Sequence, residues 1–197
     1  MENKLNKSGL SVRQMTMIGM LSAISIFLGL TGLGFIPLPT MRATIMHIPV
    51  IIGAIVEGPV VGALVGLVFG LFSMYQNITA PGLTSFIFWN PIVALIPRML
   101  IGVVSYYSFK LLKSKIKNTG ICTGIAAILG TLTNTIGVLG LTYILYLDRY
   151  AQAREISRDA VAGTLLTVGL TNGIPEAIVS ALITIPIVVT MLKMKRN

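Results

Sequence analysis

Of the 197 residues, 54% are hydrophobic and 11% are charged, whereas a soluble domain is roughly 25% charged. So few charges cannot cover a water-facing surface, and six spans of about 20 residues would use nearly the whole length, leaving no room for a separate soluble domain. The net charge of +9 sits mainly in short segments between apolar runs, a pattern that orients a membrane protein and excludes nucleic acid as the partner.

In chain order, a first span reads from about Val12 to Leu33 and is broken by Gly34, Pro37 and Pro39. The apolar run from Ile48 to Tyr75 is too long for one untilted helix and is punctuated at Glu57, Gly58 and Pro59. It predicts two helices, over about 45–57 and 58–75, joined by a tight turn. A loop from Gln76 to about Thr84 precedes a fourth span over about 85–112, and the cluster KLLKSKIKN separates it from a fifth over about 120–147. The mixed-charge segment DRYAQAREISRDA, Asp148 to Ala160, reads as a short interfacial helix before a sixth span over about 163–192. The fold class expected is an all-α integral membrane protein, a single membrane domain over 1–197 with six transmembrane helices.

Lys and Arg set the orientation. Ten fall on the N-terminal side, including Lys4, Lys7, Lys110, Lys113, Lys193 and Arg196, and four fall opposite, Arg42, Arg149, Arg154 and Arg158. Both termini are therefore expected in the cytoplasm. The lone Cys122 excludes a disulfide within the chain and a cysteine metal cluster. No repeat of 20 to 50 residues is visible.

Polar groups at membrane depth are costly and so point to pairing or to a cavity. Arg98, Asn134 and Glu176 all fall roughly 20 Å from the outer ends of their spans at about 1.5 Å per residue. Two readings of Arg98 stand: it binds a substrate anion, or it and Glu176 neutralise each other as a structural ion pair, the reading that desolvation favours. Tyr75, Gln76, Trp89, Asn90 and Asn172 lie shallower, where amide groups that both donate and accept suit a ligand with hydroxyl and amide groups. Trp89 and the tyrosines also fit an interfacial aromatic belt. His47, the only histidine, suits a hydrogen-bonding role at a loop–helix junction or a cavity wall, and Arg42 is the external cation best placed to attract an acidic solute.

Gly58, Gly62, Gly66 and Gly70 fall four residues apart and put a small-residue stripe on one face of the third span; Gly19 and Ala23 form a similar pair on the first. No catalytic constellation, Walker A loop, metal site or cofactor motif emerges, so the chain is not expected to be an enzyme and any ATP dependence must come from another chain.

The passage FIPLPTMRATIMHIPVIIGAIVEGPVVGALVGLVFGLFS, the IPRMLIGVV of the fourth span and the TNGIPEAIVSALI of the sixth together resemble the substrate-binding S components of energy-coupling factor (ECF) vitamin transporters, over essentially the whole chain. The resemblance implies a vitamin-binding protein of a prokaryotic plasma membrane. Its implied partners are a transmembrane T component and two ATPase subunits, which hydrolyse ATP while the S component topples in the bilayer. It also implies that Gly19 and Ala23 stand where the family carries an AxxxA-like docking stripe, with Gly here in the first position. The ligand would sit near the external side, with Arg42, His47, Tyr75, Gln76, Trp89, Asn90, Asn134 and Asn172 as candidate contacts.

Within the family, ATIMHIPVIIGAI looks most like the pantothenate-type members, and a carboxylate with hydroxyl and amide groups suits Arg42 or Arg98 with asparagines. Pyridoxine-type, riboflavin-type and purine-like ligands stay open. From a different class, a self-sufficient secondary permease or channel remains the rival reading.

Overall fold

A computed structural model describes residues 9–37 and 42–195. The first helix, α1 (Val12–Thr31), starts at a capping box in which Ser11 and Gln14 satisfy each other's backbone, and it stops at Gly32, whose φ of 74° is left-handed. Two three-residue strands follow, β1 (Phe35–Pro37) and β2 (Arg42–Thr44), paired antiparallel with Phe35 opposite Thr44. Next come α2 (Ile48–Glu57) and α3 (Pro59–Thr79), joined at Gly58 with φ 111°, a conformation that an L side chain rarely adopts. After a 3-10 turn at Ser85–Ile87, α4 (Pro91–Lys115), α5 (Thr119–Arg154) and α6 (Ala160–Met194) complete the chain.

Five of these helices, all but α2, are long and apolar enough to cross a membrane. Large apolar side chains such as Leu30, Leu111, Ile136, Ile144 and Leu182 stand outward and exposed. A soluble monomer does not carry that much apolar surface, and hydrocarbon would cover it. The protein is a multi-pass membrane protein.

Two expected elements differ. The six-span reading counts 45–57 as a transmembrane helix, but α2 has ten residues, about 15 Å of rise against about 30 Å of hydrocarbon. Residues 45–47, which would have begun it, form the turn between β2 and α2. All nine residues from Ile48 to Val56 are buried, so α2 is apolar all round because it is the packed centre of the molecule, not a lipid-facing span. The short helix expected over 148–160 has different bounds: a kink at Tyr146 (φ −132°, ψ 19°) divides α5, and the helical stretch beyond it stops at Arg154.

The glycine stripe of α3 sets the depth of α4. A Cβ on Gly62 would meet Gly102, one on Gly66 the Arg98 carbonyl, and one on Gly70 the Ala94 carbonyl. Backbone therefore lies on backbone along this crossing, as small residues allow. At the opposite end from the hairpin, Glu57 accepts from Arg13 at 2.8 Å and from Lys195 at 3.5 Å, tying both ends of the described chain to the α2–α3 turn.

Candidate functional site

Pro97 lies inside α4 and has no N–H, so the Val93 carbonyl, four residues back, loses its helical donor. The Arg98 side chain takes that donor's place: Nη1 donates to the Val93 oxygen at 2.7 Å. The guanidinium is thereby folded back along its own helix, over the Phe88 ring at 4.9 Å and the Phe69 ring at 5.8 Å, and is 5% exposed. Its Nε has no partner among the described residues.

The same pair of residue types recurs in α6, where Glu176 follows Pro175. The buried Glu176 carboxylate accepts the Thr44 amide at 2.6 Å. It thus fastens the hairpin to α6 through a charge-assisted bond.

Arg98 and Glu176 face one cavity of about 250 Å³ bounded by α4, α5, α6 and β2. Asn134 and Asn172 also line it; Asn134 is buried, with its carbonyl oxygen unpartnered among the described residues. Two further polar groups come from the part of α5 beyond Tyr146. Tyr150 is buried, Arg154 lies 5.7 Å over its ring, and the Arg154 Nε has no partner among the described residues. Sequence reading missed both, because Arg149, Arg154 and Arg158 looked like ordinary interfacial charge.

The expected structural ion pair does not close by direct contact. Among the described residues, no nitrogen–oxygen approach within 4.0 Å joins Arg98 to Glu176. Arg98 is bound to Val93 and Glu176 to Thr44, and both line the same cavity.

Other candidate contacts lie away from this space. His47, fully buried ahead of α2, pairs through Nε2 with the Thr131 hydroxyl at 2.9 Å. Tyr75 is exposed on α3, and Gln76 beside it donates to the Gly29 carbonyl at 3.0 Å, joining α3 to α1. The Trp89 indole donates to the Asn77 carbonyl at 3.0 Å. Asn90 caps α4 by accepting from the Ile92 amide and donates to the Tyr146 hydroxyl at 3.2 Å, bracing the α5 break. The Arg42 side chain lies outside the described residues, as do Pro39, Lys4, Lys7 and Arg196. Gly19 and Ala23 are exposed side by side on the outer face of α1.

The cavity can thus receive a small polar molecule at membrane depth, with two guanidinium groups against one carboxylate; the arrangement is that of a membrane-embedded binding protein. The chain belongs to the substrate-specific components of ECF transporters, whose family model matches residues 13–188. It is similar to the pantothenic acid transporter PanT of Lactococcus lactis subsp. cremoris, 31% identical over 175 residues covering 82% of this chain and 83% of that protein. It is also similar to the pantothenate transporter PanT of Leuconostoc mesenteroides subsp. mesenteroides, 35% identical over 155 residues covering 74% of this chain and 75% of that protein.

Proposed function

We propose that this chain is a pantothenate-capturing subunit and that the cavity beside Arg98 and Glu176 is its binding site. The observation that carries the reading is the charge balance of that cavity. Among the described residues, Arg98 and Arg154 both present a guanidinium with an unpartnered Nε, while the one carboxylate lining the cavity, Glu176, is already engaged by the Thr44 amide. A buried cation without a direct counter-ion costs several kcal/mol, and an anionic ligand supplies what is missing.

Pantothenate is a carboxylate with one amide and two hydroxyl groups. Its carboxylate would meet Arg98 or Arg154, and its amide and hydroxyls would meet Asn134, Asn172 and the Tyr150 hydroxyl, groups that donate and accept. The cavity volume of about 250 Å³ falls just below the range of sites for drug-sized ligands, about 300–1,000 Å³, as expected for a smaller vitamin. The two bacterial relatives carry pantothenate in their names.

The family membership supports a division of labour in which this chain binds and a T component with two ATPases powers transport. Gly19 and Ala23 would be the docking face, being exposed and small on α1. The excess of lysine and arginine at the end that holds Arg13, Lys113 and Lys195 supports cytoplasmic termini in a prokaryotic plasma membrane.

The test is reconstitution. The chain alone in liposomes should bind pantothenate without accumulating it, and uptake should require the T component, both ATPases and ATP. Uptake by the chain alone would establish a self-sufficient permease instead.

A further inference from the structure

At the end opposite the hairpin, the α4–α5 turn and the last turn of α6 enclose a groove of about 330 Å³. Its inner wall is apolar, made by Phe109, Val189 and Leu192, and its mouth is ringed by Lys113, Lys193 and Lys195. Nothing in the pantothenate reading uses it.

The three lysines do different work. Lys195 is spent, held by the Val56 carbonyl at 3.0 Å and by Glu57. Lys113 is positioned: its ammonium donates to the Lys117 carbonyl at 2.6 Å and to the Thr119 hydroxyl at 2.8 Å, which leaves its third N–H for a ligand. Lys193 is exposed and has no partner among the described residues. The positive end of α5 begins at Thr119, on the rim of the same groove.

No acidic residue occurs in the sequence over 109–119 or 189–197, against four lysines in the first stretch and two lysines and an arginine in the second. The groove therefore combines a cationic mouth at the level where α4 and α6 leave the membrane with an apolar wall running inward. That pairing matches one ligand chemistry, a phosphate attached to an alkyl chain.

We propose that this groove holds an anionic phospholipid of the adjacent leaflet. The headgroup phosphate lies between Lys113 and Lys193, and one acyl chain runs along Phe109, Val189 and Leu192. Basic recesses between helices at a membrane surface select anionic lipid in this way.

Native mass spectrometry of the full-length protein, titrated with phosphatidylglycerol, phosphatidylcholine or inorganic phosphate, tests the proposal. Phosphatidylglycerol should be retained as a single adduct and phosphatidylcholine should not. The Lys113→Gln, Lys193→Gln double variant should lose about thirty-fold in phosphatidylglycerol affinity, the loss of two lysines at a membrane surface. Lys110→Gln with Lys115→Gln removes the same charge outside the groove and should bind as the parent does. All four positions are exposed, and thermal melting confirms that each variant is folded. Equal loss in both pairs, unchanged binding in the first pair, or inorganic phosphate binding as tightly as the lipid would each overturn the site.

Discussion

The Glu176 carboxylate on α6 accepts the backbone amide of Thr44 on β2 at 2.6 Å, across 132 residues of sequence. This bond joins a wall of the cavity to the hairpin that closes its edge. The carboxylate therefore holds the hairpin, and its charge is only partly available to Arg98.

Glu176→Gln keeps an acceptor at this position but removes its charge, so the Thr44 amide should exchange with solvent faster. Hydrogen bonds to charged groups are worth about 1.5–3 kcal/mol against about 1 for neutral ones. Hydrogen exchange on the 42–46 segment should rise roughly tenfold, while the α3–α4 crossing keeps its protection.

Arg98→Gln separates the two readings of the buried pair. As a ligand contact, its removal should weaken pantothenate binding roughly 10- to 100-fold in a protein that remains folded, and adding Glu176→Gln should not restore affinity. As a strut, it would show a sharp fall in thermal stability that the double variant recovers. Calorimetric titration alongside melting of the three variants distinguishes them.

Gly66→Ala should cost about 1–3 kcal/mol, the penalty for overpacking, because the new methyl would meet the Arg98 carbonyl rather than a movable side chain. Ligand affinity should fall with it, since the same contact sets the depth of Arg98. Gly19 is the control: nothing lies within 4 Å of its added Cβ, so Gly19→Leu with Ala23→Leu should leave melting and pantothenate binding unchanged. Copurification with the T component should be lost. Persistent assembly would remove this face from the docking surface.

Glu57→Gln should loosen the end where Arg13 and Lys195 converge. Both cations are substantially exposed, so the loss should be modest, about 1 kcal/mol. The parent's melting temperature should fall with added salt more steeply than the variant's, because only the parent retains the charge interactions that salt screens.

Length and apolarity made the five long helices legible, because only composition decides whether about 20 residues can cross a bilayer. The depth of α2 was not legible. An apolar segment of ten residues looks the same in the centre of a bundle as at the start of a span, and the strands that precede it are three residues long and contain Pro37. At the site, Arg98, Asn134, Asn172 and Glu176 stood out as polar groups inside apolar runs, and the structure brings them to one cavity. Tyr150 and Arg154 did not, because a mixed-charge stretch is ordinarily a solvated face and a single non-helical residue at Tyr146 decides otherwise. Trp89 and Asn90 drew notice for chemistry that the structure spends on the Asn77 carbonyl, the α4 cap and the Tyr146 hydroxyl. One signal was present and unread: Ile-Pro precedes the charged residue in both α4 and α6, at Arg98 and at Glu176.

Binding of pantothenate in this cavity is read most simply by titrating the purified, ligand-free chain with radiolabelled pantothenate in detergent. Binding should be saturable at one molecule per chain, competed by unlabelled pantothenate and not by pyridoxine or riboflavin, and weakened in Arg98→Gln. A chain that melts cooperatively yet binds no pantothenate, or prefers pyridoxine or riboflavin, would contradict it.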